Sequence, residues 1–228
     1  MAAIVELKNV NKIYRGAVDT QALFNIDLAF EQGSFNSIVG ESGSGKSSLL
    51  NLIGILDRPT SGEILLEGHP TASLNANSQA TLRNRTVGFV FQFHYLLPEF
   101  SAMENVLMPY LIGHRNADAG VKKRAEELFD LLGITRVKNN MANKMSGGQQ
   151  QRIAIARALM NNPKVVLADE PTGNLDSENT AVIYRIFRDV NRGSGTTFII
   201  VTHDRRIAEQ TDRIIEIKDG RVVMDLLR

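Results

Sequence analysis

The sequence predicts an α/β fold with a parallel sheet at its centre, and three observations predict it. Phe35-Asn36-Ser37-Ile38-Val39 reads as a buried strand, runs into Gly40-Glu41-Ser42-Gly43-Ser44-Gly45-Lys46-Ser47, and continues into the apolar helix start Ser48-Leu49-Leu50-Asn51-Leu52-Ile53. After Ser146, strand-type and helix-type segments alternate, as they do where helices cover both faces of a parallel sheet. Val165-Val166-Leu167-Ala168-Asp169-Glu170 is an apolar strand ending in two acids, the pattern of a central strand whose carboxyl end opens on a site.

Residues 40–47 fit G-x-x-x-x-G-K-[ST], a phosphate-binding loop, in the strand–loop–helix setting that gives the motif its meaning. The residue types follow from the chemistry. Glycines let backbone N–H groups turn inward and approach phosphate oxygens with no Cβ in the way. The positive end of the following helix faces the same anion. Lys46 has the reach for β- and γ-phosphates, and the Ser47 hydroxyl is placed to ligate Mg²⁺. A plain Gly/Ser-rich turn matches this pattern by chance in roughly one chain in a hundred of this length. The matching strand and helix favour nucleotide binding over that reading.

Along the chain, Ile4-Val5-Glu6-Leu7 and Leu23-Phe24-Asn25-Ile26-Asp27-Leu28-Ala29-Phe30 alternate apolar and polar residues, as half-buried antiparallel strands do. Gly62-Glu63-Ile64-Leu65-Leu66-Glu67-Gly68, after the turn signal Arg58-Pro59-Thr60-Ser61-Gly62, adds a strand to this small antiparallel β subdomain. Val87-Gly88-Phe89-Val90-Phe91-Gln92 is a buried strand ending in a lone amide. From about residue 93 helical periodicity dominates, clearest over Val121-Lys122-Lys123-Arg124-Ala125-Glu126-Glu127-Leu128-Phe129-Asp130-Leu131-Leu132, with Gly133 as the stop. It predicts a helical lobe, about 93–160, inserted between core strands. The alternation then predicts a helix near 149–161, a strand at 164–168, a helix near 178–192 and a strand at 197–202. Ile214-Ile215-Glu216-Ile217 and Arg221-Val222-Val223-Met224 flank Asp219-Gly220, a strong hairpin signal. With no internal repeat or long linker, residues 1–228 are expected to form a single domain.

Asp169 stands where an acid at the carboxyl edge of a parallel sheet holds Mg²⁺ beside a phosphate loop, and Glu170 is placed to activate water as a general base. Ser146-Gly147-Gly148-Gln149 opens a helix whose apolar face is Ile153, Ala156 and Leu159. It reads either as an ordinary N-cap or as a second anion-binding helix start. One phosphate chain has little use for two such starts in one cleft, so the second points to a neighbouring molecule. His203 follows a strand at the same sheet edge, where contact with a γ-phosphate or attacking water is expected. His69, His94 and His114 have no such context. Lys122-Lys123-Arg124 reads as a solvated helix face, and the methionines as core filler.

Composition narrows the field. Apolar content of 43% with 22% charged residues describes a globular protein, and a net charge of +1 gives no electrostatic pull toward nucleic acid. The absence of cysteine excludes disulfides and thiolate chemistry. The first residues lack the regions of a signal peptide, and no apolar run approaches the ~18 residues that span a bilayer. Any work at a membrane is therefore expected to need another chain.

Taken together, these residues resemble the ATP-binding subunit of the ABC transporter family over essentially the whole length, a P-loop NTPase fold. Residues 40–47 resemble its Walker A motif and Val165 to Glu170 its Walker B. Met145-Ser146-Gly147-Gly148-Gln149 is similar to the LSGGQ signature, with Met for the usual Leu, one apolar residue for another. The resemblance implies ATP and Mg²⁺ as cofactors. Glu170 activates water on this reading, while Lys46, Ser47, Ser48, Asp169, Gln92 and His203 bind phosphate, metal or the transition state. Gln92 matches the Q-loop glutamine, Asn174-Leu175-Asp176 the D-loop, His203 the switch histidine and Tyr14 the aromatic that stacks on adenine. It further implies a head-to-tail homodimer, each signature closing over ATP held by the partner, and a separate integral membrane subunit docking near 93–113. The chain would then sit peripherally on the cytoplasmic face of the inner membrane.

A narrower resemblance rests on Asp169-Glu170-Pro171-Thr172-Gly173-Asn174-Leu175-Asp176, similar to a subgroup of lipoprotein-release, macrolide-export and cell-division ATPases. Gln92-Phe93-His94-Tyr95-Leu96-Leu97-Pro98-Glu99-Phe100 with Glu104-Asn105-Val106 looks most like the lipoprotein-releasing branch. The alternatives are a macrolide or peptide exporter and a cell-division signalling complex. Soluble ABC proteins of DNA repair or translation need a coiled-coil insertion or two linked cassettes, and the sequence shows neither sustained heptads nor a basic arm.

Overall fold

The structure is a computed structural model that describes residues 3–173 and 175–228. The chain begins with β1 (Ala3–Tyr14), β2 (Thr20–Glu31) and β3 (Phe35–Val39), then α1 (Lys46–Ile53). β4 (Ser61–Leu66), β5 (His69–Pro70), α2 (Ala76–Thr86) and β6 (Val87–Phe91) follow. Three helices come next, α3 (Ala102–Leu111), α4 (Ala119–Leu131) and α5 (Gly147–Leu159). The remainder is β7 (Val165–Asp169), α6 (Ser177–Ser194), β8 (Thr197–Val201), α7 (Arg205–Ala208), β9 (Arg213–Lys218) and β10 (Arg221–Leu227).

Two sheets result. The smaller has the order β2-β1-β4-β5 and is antiparallel throughout. β1 and β2 run well past the short alternating segments legible in sequence, because register shifts around Val10 carry the pairing through polar residues that break the alternation. The larger sheet has the order β10-β9-β3-β8-β7-β6, parallel except for the terminal hairpin partner β10. β3 and β8 are buried along their whole length, which explains the apolar run of β8; in β3 the buried polar pair is bonded, Asn36 Nδ2 donating to Phe198 O at 3.0 Å and Ser37 Oγ lying 2.9 Å from Thr211 Oγ1.

Side chains of the large sheet alternate between two buried clusters. Val165, Leu167, Ile199 and Val201 point into the cluster shared with α1 and the small sheet. Val166, Ala168, Phe198 and Ile200 point into the cluster shared with α3, α4, α5 and α6. The two-residue period of β7 and β8 therefore joins the whole molecule. The helical segment has no private core: Ile153, Ile155 and Ala156 of α5 lie in the same cluster as Phe35 and Phe198 of the sheet. Close approach of α5 to β6 depends on Gly88, where a Cβ would lie 2.3 Å from the Ala158 carbonyl oxygen.

Three elements were not legible as separate helices. α2 is polar, burying little beyond Gln79, Leu82 and Thr86, and it is set by the Asn75 side chain accepting from Ser78 N–H at 2.9 Å. α3 starts at a capping box between Ser101 and Glu104 and carries Pro109 near its end. α7 is a single turn capped by Asp204. At the other end, Asp219 (φ 48°) and Gly220 (φ 71°) form the tight turn of the β9–β10 hairpin.

Candidate functional site

Strand register builds the site. Ile38 pairs with Val201, Val201 with Asp169, and Asp169 with Phe91, so β3, β8, β7 and β6 end level with one another. The residues that follow these ends come side by side: the glycine loop after β3, His203 beyond β8, Glu170 after β7 and Gln92 after β6. This is the carboxyl edge at which open parallel sheets place ligands.

The loop owes its path to glycine at two points. A Cβ on Gly40 (φ 155°) would fall 2.2 Å from the Ile217 carbonyl oxygen, and one on Gly45 (φ 108°) 2.7 Å from that of Ala22. Gly43 (φ 78°) faces open space between exposed Glu41, Ser42 and the buried Ser44. The hairpin turn props the loop from behind, Gly220 N–H donating to Ser44 O at 2.9 Å. Lys46 is folded back along the loop, its ammonium donating to Gly40 O at 2.8 Å and Glu41 O at 2.6 Å. Ser44 Oγ is buried without a partner. A loop with a cation held by its own carbonyls and an orphaned hydroxyl fits an incoming polyanion. Tyr14 stands at the mouth of this loop, its hydroxyl 3.2 Å from Ser48 Oγ and its ring under the Lys12 ammonium at 4.8 Å.

Beside the loop, Asp169 receives a hydrogen bond from Ser47 and lies near Lys46. Burial pushes its carboxyl above the usual range, and Ser47 and Lys46 offset only part of that. Hydroxyl, carboxylate and the Gln92 amide make a hard, oxygen-only donor set, which suits Mg²⁺. Gln92 packs on Gly173, where a Cβ would lie 3.0 Å from its Nε2.

Glu170 adopts the left-handed conformation (φ 45°), with its N–H on Val201 O at 3.0 Å. Its Oε1 meets His203 Nδ1 at 2.9 Å, the acid mostly buried and the imidazole largely exposed. Below them lies a cavity of about 420 Å³ lined by Glu170, Thr172, Tyr184, Thr202, His203 and Asp204, among others. Tyr184 Oη is buried there beside Thr172 and Thr202 without a well-formed hydrogen bond; burial raises its phenol, the two threonines offset part of that, and the Glu170 and Asp204 carboxylates add to it. Tyr184 belongs to the buried face of α6, and no motif in the sequence marks it as neighbour to the acid.

Ser146, Gly147, Gly148 and Gln149 stand apart from this constellation. Ser146 Oγ accepts from Gln149 N–H at 3.4 Å, and Gln149 Oε1 accepts from Ser146 N–H at 3.0 Å. Gly147 faces open space, and Gly148 approaches Leu175. Asp176 caps α6, accepting from Asn179 N–H at 2.8 Å, while Arg152 of α5 donates to Asn179 Oδ1 at 3.0 Å. Asn174 lies outside the described residues. The structure thus gathers the loop, Asp169, Glu170, Gln92 and His203 at one edge, and leaves the second glycine-rich helix start facing outward.

Such an edge defines a nucleotide-binding domain of the P-loop class. The chain belongs to the ABC transporter family, whose pattern, described as "ABC transporter", matches residues 23–173. It is similar to "Lipoprotein-releasing system ATP-binding protein LolD 1" of Rhodopseudomonas palustris, 48% identical over 97% of this chain and 99% of that one. It is 50% identical to "Lipoprotein-releasing system ATP-binding protein LolD" of Anaeromyxobacter dehalogenans, over 97% of this chain and 93% of that one. Among solved structures it resembles the ATP-binding cassette MJ0796, a dimer in a post-hydrolysis state bound to ADP and Pi. That match has a TM-score of 0.91, 43% identity and 98% coverage of both chains. The chain is an ABC-type, ATP-binding and ATP-hydrolysing subunit.

Proposed function

We propose that this chain works as an ATP-closed, head-to-tail homodimer that drives a separate membrane subunit to release lipoproteins from the inner membrane. The observation that carries the hydrolytic part is the Glu170–His203 pair at 2.9 Å, level with the phosphate loop. The near full-length identity to two proteins named for lipoprotein release supports the substrate class.

Lys46 exchanges the Gly40 and Glu41 carbonyls for β- and γ-phosphate oxygens, which the loop's N–H groups also hold. Ser47, Asp169 and Gln92 would hold Mg²⁺, which when bound would screen the phosphate charge. Glu170 Oε1 accepts the proton of the attacking water, and His203 keeps that carboxylate oriented and contacts the γ-phosphate. Tyr14 stacks on adenine. Ser146, Gly147, Gly148 and Gln149 cover the ATP held by the second copy, with Asp176 beside them. Their outward placement and the dimeric state of the cassette MJ0796 support this reading.

No helix among the described residues is long and apolar enough to cross a membrane. The membrane subunit docks on residues 93–113 of this chain, which sits peripherally on the cytoplasmic face of the inner membrane. Phe93, Tyr95 and Ile112 there are 64%, 66% and 73% exposed, and a groove of about 720 Å³ runs past Pro109, Tyr110, Ile112 and His114.

The test uses tagged Glu170→Gln, extracted from membranes with ATP and Mg²⁺. Copurification of a membrane protein carrying bound lipoprotein is expected. A macrolide or peptide exporter, or a division-complex protein, would overturn the lipoprotein assignment. A variant that dimerises with ATP but stays alone would overturn the membrane-coupled role.

A further inference from the structure

Loop 92–100 leaves the catalytic edge at Gln92 and reaches the proposed docking surface at Phe93 and Tyr95. It is gripped in the middle by a residue from the far end of α5. Arg157 Nη2 donates to His94 O and Nη1 to Tyr95 O, both at 2.7 Å. Tyr95 adopts φ 47° at that point, a conformation side-chain-bearing residues hold only when their surroundings enforce it. Its ring meets Phe91 edge-on at 5.5 Å. Farther along, buried Asn105 fixes Leu97, accepting from its N–H at 2.8 Å and donating to its carbonyl at 3.1 Å.

The bond to Tyr95 O is exposed and that to His94 O part-buried. One planar fork bridges the two successive carbonyls and fixes the loop's orientation to α5. α5 then runs about 16 Å from Arg157 back to Ser146. On the same helix Gln150 Nε2 donates to Ala142 O at 2.9 Å and Met145 O at 3.2 Å, holding the segment that leads into Ser146. Loop and helix start are two ends of one rigid rod.

We propose that Arg157 is a positioning residue that makes the docking loop and the Ser146 helix a single moving part. A push on the loop by the membrane subunit then displaces the helix start that covers the partner's ATP. The inference rests on the homodimer and docking surface proposed above, and deepens them by naming the mechanical link.

Arg157→Lys keeps the charge and loses the two-carbonyl bridge. The probe is the membrane protein recovered with Glu170→Gln, reconstituted in lipid nanodiscs. We expect unchanged basal ATPase, unchanged KM for ATP and retained binding to the membrane protein, with stimulated kcat lowered about tenfold. Stimulation equal to wild type overturns the proposal. Equal loss of basal and stimulated rates also overturns it, since a merely structural residue acts on both. Should Arg157→Lys fail to fold, Arg157→Gln removes the charge and leaves at most one of the two carbonyls bonded, and the same selective loss is expected; normal stimulation overturns the link. A wild-type chain that binds the membrane protein without stimulation overturns the docking reading and the link together, an outcome distinct from failure of the variant alone.

Discussion

Glu170 holds a conformation that costs a non-glycine residue about 1–3 kcal/mol, and it does so while paired with a histidine at the sheet edge. Val201 and His203 hold its backbone and carboxylate, so the strain aims the side chain. Glu170→Gln keeps shape and loses basicity; we expect turnover to fall by about 10²–10⁴ with ATP binding retained, measured by single-turnover hydrolysis and nucleotide-dependent dimerisation. Tyr184 behaves differently. Its hydroxyl is buried beside Thr172 and Thr202 without a well-formed hydrogen bond, so Tyr184→Phe removes a desolvated group and little hydrogen bonding. Thermal unfolding of that variant should show equal or greater stability, by up to about 1–2 kcal/mol.

Elements are joined by a few polar or close contacts that carry more weight than their number. Glu67, in the turn after β4, meets Lys164 and Arg85 and accepts from Thr86 at 2.9 Å, linking the small sheet to α2 and β7. Burial alone would raise its carboxyl, but Lys164, Thr86 and Arg85 hold it below the ordinary value of 4.5. Its native value is lower than its unfolded one. Its stabilisation is therefore complete above pH 4.5 and lost as pH falls through the lowered native value. Glu67→Gln should cost about 1–2 kcal/mol at neutral pH, and the gap to wild type should close in acid, as urea titrations across that range would record. Gly88→Ala forces a Cβ onto the Ala158 carbonyl; we expect Tm to fall by an amount equivalent to about 2–3 kcal/mol, or α5 to part from β6.

At the scale of the molecule, legibility followed physics. The parallel core was readable because β7 and β8 are apolar on both faces, and the hairpin because Asp219-Gly220 suits its turn. The phosphate loop, Asp169, Glu170, Gln92 and His203 were nameable from motifs, yet their convergence depends on a register that no local pattern encodes. α2 escaped because its surface is polar, and α3 because its capping box is two residues in a long irregular stretch. Arg157, Tyr184 and the prop behind the loop are long-range contacts between residues of ordinary type, invisible along the chain.

That prop has a consequence for affinity. Gly220 reaches across from a hairpin at the chain's far end to hold Ser44, and a Cβ there would collide with Ala22 O at 2.5 Å. The loop's ordering entropy is thus spent when the domain folds and little remains to be lost when phosphate arrives. Gly220→Ala should accordingly weaken nucleotide binding mainly through a less favourable binding entropy, seen by calorimetry. A hairpin far along the chain from the loop, touching it through one backbone hydrogen bond, is then part of what makes the triphosphate cradle rigid before it is filled.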